Sequence, residues 1–202
     1  MGDMVRLQRH GDLAVIEIDH PPVNALSNAL RREILAAVQE FIADPVLRGA
    51  VLVCVGKTFI AGADLREFDK PPREVATADI CRALDASPKP VVVALHGTAL
   101  GGGFEIALAC HARLMAPDGR VGLPEGRVGL IPGVGGTQRL VRLVGAMAAL
   151  DMVTTGRHVP ADEALKLGLV EEIATDLRKQ AINRARMLAD RVGVGWMVYV
   201  TK

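Results

Sequence analysis

The chain has 202 residues, half of them hydrophobic, which is enough apolar material for one sizeable core and too little for two full domains. Lysine and arginine together number 24 against 23 acidic residues, so no basic field advertises a nucleic-acid surface and none is expected. Three cysteines without a CxxC pair argue against a disulfide framework and for a reducing compartment, the cytoplasm. The N-terminus opens polar and acidic, so no leader peptide is expected. The longest apolar runs fall far short of a membrane span, and no membrane partner is expected.

The segment from Leu13 to Asp19 reads as a first strand, stopped by Pro21-Pro22. A loop through Asn24 and Ala25 follows. Apolar residues at Leu30, Ile34, Leu35, Val38, Phe41 and Ile42 then recur with helical period, with Ser27 or Asn28 as N-cap and Asp44-Pro45 as the stop. Ala50 to Val55 and Pro90 to Leu95 are short continuous β-branched runs, which marks strands buried on both faces. Each leads through a glycine-bearing segment into a helix, so the fold class is α/β with mostly parallel pairing. Beyond Pro132 the chain reads as mainly helical, with helices over Gly136 to Val144, Ala146 to Thr154 and about Ala174 to Asp190.

Two glutamates in glycine-rich surroundings carry the chemistry. Gly101-Gly102-Gly103 precedes Glu105 on an apolar helix expected from about Gly103 to His111, and Glu125 follows Pro124 in a loop. The glycines could serve only a tight strand-to-helix turn. A phosphate loop fails on spacing, because neither Gly101-x-Gly103 nor Gly133-x-Gly135 has a glycine three places on and no GK[ST] is present. What survives is a set of main-chain N–H donors at a helix start, where a developing oxyanion is favoured. A lone Glu105 is more often salt-bridged or partly exposed, and a lone Glu125 more often solvated. Together, one carboxyl kept protonated beside one kept ionised would supply an acid and a base near neutral pH. Ala61-Gly62-Ala63, after the buried strand over Ala50 to Val55, either fits a crowded turn or lets a ligand lie against the main chain. His96 and His111 have no partners at metal-ligand spacing, so no metal is assigned.

These residues resemble the crotonase superfamily of enoyl-CoA hydratases and isomerases. The resemblance rests on Phe59 to Leu65, Ala99 to Glu105, Gly122 to Glu125 and Gly129 to Leu140, in family order and spanning most of residues 12 to 173. The stretch from Ala107 through His111 to Val170 looks most like the hydratase part of the multifunctional enzymes of fatty-acid β-oxidation.

The resemblance implies a crotonase-like (ClpP/crotonase) fold of repeated ββα units over residues 1–190. It also implies that the C-terminal helical part is cut short, leaving residues 191–202 as a tail that matches no family feature. It implies an acyl-CoA thioester as substrate and no cofactor, since coenzyme A enters as part of that substrate. By motif position, Ala63 and Gly102 would hold the thioester oxygen through their N–H groups. Ala61, Ala63, Asp64 and Leu65, with Asn24 and Ala25, would line the coenzyme. Glu105 would activate water and Glu125 would supply the α-carbon proton, giving enoyl-CoA hydration. Isomerisation, hydrolysis or a non-catalytic CoA-binding subunit are the alternatives. The family's assembly implies a homo-oligomer, a trimer or a multiple of it. Gly126 and Arg127 depart from the usual apolar β-branched successor of the second glutamate, which implies looser positioning of Glu125.

Overall fold

The computed structural model describes residues 4–67 and 74–192. Strands β1 (Val5–His10) and β2 (Leu13–Ile18) form an antiparallel hairpin. Helix α1 (Asn28–Ala43) starts where Ser27 Oγ accepts the Leu30 N–H and stops at Asp44, as the capping residues and the proline require. Strands β3 (Gly49–Cys54) and β4 (Val91–Leu95) then join β2 in parallel, with helix α2 (Thr77–Asp85) between them. The polar sequence of the hairpin partner β1 carries no clear strand signal. Only its first residue, Val5, is fully buried.

Strand β5 (Thr98–Leu100) leads directly into helix α3 (Gly102–Ala109). The helix is shorter than expected: Cys110 turns extended and His111 leads into strand β6 (Ala112–Met115), which pairs with β4. Strand β7 (Arg120–Gly122) pairs with β5, and a 3-10 helix over Pro124–Val128 follows. Helices α4 (Gly136–Val144) and α5 (Ala146–Thr155), strand β8 (Val159–Pro160), helix α6 (Ala161–Lys166), strand β9 (Glu172–Ile173) and helix α7 (Leu177–Arg191) complete the order. The expected last helix starts later, at Leu177, because residues 174–176 form the connection from β9. The proposed tail lies, from residue 193 onward, outside the described residues.

A six-stranded sheet in the order β1-β2-β3-β4-β6-β9 forms the floor, and β5, β7 and β8 form a second small sheet. The two faces of the floor are segregated by alternation along each strand. Leu13, Val15, Val51, Val53, Val92 and Ala94 meet Ala181, Ala185 and Ala189 of α7, whose four-residue spacing makes a flat stripe. Ala14, Ile16, Leu52, Val91 and Val93 point the other way, toward α1, α2 and α3. Burial on both faces is what the continuous apolar runs demanded. No helix among the described residues is long and apolar enough to cross a membrane.

Candidate active site

The site forms where the segment after β3 lies against the β5–α3 junction. Leu100 donates its N–H to Ile60 O across 3.0 Å, and a Cβ on Gly103 would stand only 2.3 Å from that same oxygen. A side chain at position 103 would therefore drive the two segments apart. Leu26 joins Ala63 through an isolated parallel bridge in which Leu26 N–H donates to Gly62 O (2.9 Å) and Asp64 N–H to Leu26 O (3.4 Å). Because the bridge uses the peptide groups on either side of Ala63, the Ala63 N–H points away from it. Gly102 is the first helical residue of α3, so its N–H has no acceptor within the helix. A Cβ on Gly102 would lie 3.1 Å from Leu26 Cδ1, so Leu26 touches both the Ala63 and the Gly102 segments. Neither N–H meets an acceptor among the described residues.

Glu105 stands in the first turn of α3 and is only 2 % exposed. Its Oε1 accepts the N–H groups of Val134 (2.9 Å) and Gly136 (2.8 Å), the latter at the start of α4. The carboxylate thus faces the N-terminal ends of two helices, where negative charge is favoured. Burial pushes its pKa above the ordinary value of 4.5, while the two amides and the Arg139 guanidinium pull it back. Both hydrogen bonds fall on Oε1, leaving Oε2 without a donor among the described residues.

Glu125 is half-buried at the beginning of the 3-10 helix, not in an open loop. Its Oε1 would lie 3.0 Å from a Cβ on Gly101, whose φ of +51° also calls for glycine. Since Glu105 N–H donates to Gly101 O across 2.9 Å, both carboxylates sit at the same end of α3. Glu125 Oε2 is buried with no hydrogen-bond partner among the described residues. Burial raises its pKa, with the charge on Glu105 adding in the same direction. Gly126 and Arg127 fit closely rather than loosening this turn: Arg127 Nε donates to Thr155 O (3.1 Å), and a Cβ on Gly126 would lie 3.1 Å from Val153 O.

The segments assigned to coenzyme contact are brought side by side. Ala61 N–H donates to Val23 O (3.2 Å), which leaves the Ala61 carbonyl free of that contact. Asn24, at φ +52° and fully enclosed, donates through Nδ2 to Val55 O, Thr58 O and Phe59 O and accepts the His20 N–H at Oδ1. Its side chain is thus spent on shaping the turn, and Ala25 beside it is half-buried. Asp64 is buried against Arg66, which makes two side-chain hydrogen bonds to it and holds its carboxyl down to about 2. Leu65 opens a 3-10 helix over Leu65–Glu67. His96 and His111 both contact main chain, at Gly56 O and Val91 N, as packing histidines do.

Three groups here lie outside the residues that the sequence motifs single out: the Val134 and Gly136 amides, the Arg139–Asp85 ion pair, and Arg31, whose fully buried guanidinium donates to Leu26 O (2.5 Å) and Val75 O (2.8 Å). The Gly135-Gly136 pair was the signal for the first. An arginine inside an otherwise apolar helix face was the signal for the last.

The enoyl-CoA hydratase/isomerase family profile matches residues 8–194. The chain belongs to that family. It is 42 % identical over 193 residues to the peroxisomal bifunctional enzyme of Homo sapiens, an alignment that covers 95 % of this chain and 26 % of the relative. It is 39 % identical over 184 residues to a probable enoyl-CoA hydratase of Bacillus subtilis, covering 88 % of this chain and 71 % of that protein. The chain therefore spans about a quarter of the length of the bifunctional relatives it matches. Among solved structures, an enoyl-CoA hydratase from Bacillus anthracis superposes with a TM-score of 0.84 at 34 % identity, over 92 % of this chain and 76 % of that one. The fold is that of crotonases, and the similarity extends to the hydratase part of multifunctional enzymes.

Proposed function

We propose that this crotonase adds water to a 2-enoyl-CoA thioester to give the 3-hydroxyacyl-CoA, as a step of fatty-acid oxidation. The observation that carries the reading is the pair of carboxylates, Glu105 buried and Glu125 half-buried, both shifted upward in pKa, at the helix end that also offers the Gly102 N–H. An isomerase needs one carboxylate to shuttle a proton; hydration uses two. In this reading the Ala63 and Gly102 N–H groups hold the thioester oxygen, and Glu105 Oε2 takes a proton from water as its oxygen bonds to the β-carbon. Negative charge moves onto the thioester oxygen, where the two donors stabilise it. Protonated Glu125 then gives its proton to the α-carbon, so both elements of water add from the same side, and the carboxylates exchange one proton to reset.

Coenzyme A would lie along the paired turns, touching main-chain atoms of Ala25, Ala61, Asp64 and Leu65, with Asn24 as the residue that shapes the turn. A reducing compartment, the cytoplasm, is proposed on three free thiols. The deciding assay is loss of the conjugated enoyl absorbance on mixing a 2-enoyl-CoA with the purified chain. Hydration in deuterated water must place one deuterium at the α-carbon of the product. Migration of the double bond without water uptake would identify an isomerase, release of free thiol a hydrolase, and binding without turnover a CoA-binding subunit.

A further inference from the structure

Two charged side chains outside the proposed chemistry stand where their own helices disfavour them. Asp85 is the last residue of α2, at the end that carries partial negative charge, and Arg139 lies in the first turn of α4, at the end that carries partial positive charge. Each offsets the other: Arg139 Nε donates to Asp85 Oδ1 across 3.2 Å, and Nη2 donates to Oδ2. The remaining nitrogen, Nη1, donates to Val134 O across 2.8 Å. Val134 turns its own N–H the other way, onto Glu105 Oε1. A Cβ on Gly135 would lie 2.1 Å from Arg139 Nη1, and one on Gly136 would lie 2.8 Å from Glu105 Oε1. Residues 134–136 are therefore clasped between a guanidinium and a carboxylate.

The geometry points to Arg139, braced by Asp85, as a positioning residue that presents the Val134 and Gly136 amides to Glu105 and so keeps this carboxylate oriented and ionised. The inference rests on the reading of Glu105 as the general base. A lysine could supply the charge and not the planar fork that spans Asp85 and the Val134 carbonyl together. The groups facing Glu105 from the packed elements are Cys81 on α2, Arg139 on α4 with Asp85 behind it, and Glu125 on the 3-10 helix. Strand β5 contributes no titratable side chain. Of these groups Arg139 alone is cationic, so its removal must raise the Glu105 pKa.

Arg139→Gln, Arg139→Lys and Asp85→Asn test this with two readouts. One is the pH profile of kcat and KM for hydration of a 2-enoyl-CoA. The other is direct titration of glutamate 13C-carboxyl resonances, with the Glu105 signal assigned by its loss in Glu105→Gln. Arg139→Gln is expected to lower kcat by about 10²-fold, the scale of a misplaced catalytic group, with KM little changed. Both the acid limb of the profile and the Glu105 midpoint should move upward. Arg139→Lys should restore the midpoint and only part of kcat, and Asp85→Asn, which removes an anion and leaves Arg139 cationic, should lower kcat by less than Arg139→Gln, with KM little changed and no upward shift of the midpoint. An unmoved Glu105 midpoint in folded Arg139→Gln, or an unchanged kcat in Asp85→Asn, overturns the inference, whatever the change in melting temperature. Should Arg139→Gln fail to fold, the kcat and KM of Asp85→Asn decide alone. If Glu105→Gln keeps full hydration, the general-base reading falls, while the carboxyl titration still reports whether Arg139 governs Glu105.

Discussion

The Glu105 carboxylate fills the space in which Gly136 would carry a side chain: a Cβ there would lie 2.8 Å from Oε1 and 3.0 Å from Cγ, and the Gly136 N–H donates to that same oxygen across 2.8 Å. Gly136→Ala must therefore displace the carboxylate, because the alternative is to move the start of α4. The Gly136 φ lies outside the left-handed region, so the backbone itself accepts alanine. Turnover should fall by about 10²-fold while the circular dichroism spectrum stays unchanged. Unchanged turnover in the folded variant would show that the Gly136 contact does not position Glu105.

Glu105→Gln and Glu125→Gln keep shape and remove proton transfer. Each should lower hydration by roughly 10²- to 10⁴-fold, with binding of the CoA ester preserved in calorimetry. If Glu125→Gln alone were still active, a single-carboxylate reaction would replace the proposed one.

Both carboxyls have pKa values raised by burial above the ordinary 4.5, and the direction fixes the sign of their effect on stability. A carboxyl with a raised folded-state pKa binds more protons folded than unfolded, so stability is full below about pH 4.5 and falls as pH rises through the folded-state value. At pH 7 the wild-type chain therefore carries a penalty that the neutral amides lack. Urea melts should find Glu105→Gln and Glu125→Gln more stable than wild type at pH 7, with the gap closing at pH 4. A gap independent of pH would mean that packing, not ionisation, causes it.

Gly102→Pro deletes one N–H at the first position of α3, a position where proline suits a helix. The atom nearest a Cβ at this position is Leu26 Cδ1, the end of a flexible side chain. Loss of one oxyanion donor is expected to cost on the order of 3 kcal/mol in transition-state stabilisation, read as a drop in kcat larger than the change in KM. A folded variant with wild-type kcat removes Gly102 from that role.

Self-association is expected from the outer surface of the 3-10 helix and α5. Val128 of the 3-10 helix and Met147 and Leu150 of α5, two elements that pack against one another, are all more than half exposed, as is Ile131 in the loop after the 3-10 helix. Apolar surface of this kind is uncommon when contiguous on a monomer. Sedimentation at micromolar concentration should show a trimer or a multiple of it, and Met147→Glu with Ile131→Glu should shift the population toward monomer. A monomer at every concentration tested rules out obligate assembly.

Elements governed by local rules were legible along the chain. The period of Leu30, Ile34, Val38 and Phe41 and the Ser27 cap set α1, and the unbroken runs in β3 and β4 announced a sheet covered on both faces. The motifs around Ala63, Glu105 and Glu125 named the family and the candidate residues. What sequence could not show was anything resting on contacts between distant segments. The polar strand β1 exists because β2 offers an open edge, which no periodicity within Val5–His10 records. The two glutamates meet because the Gly101 peptide binds one through the helix ladder and makes room for the other. Asp85 and Arg139 each contradict the preference of their own helix, and only the close approach of α2 and α4 around residues 134–136 makes both placements favourable.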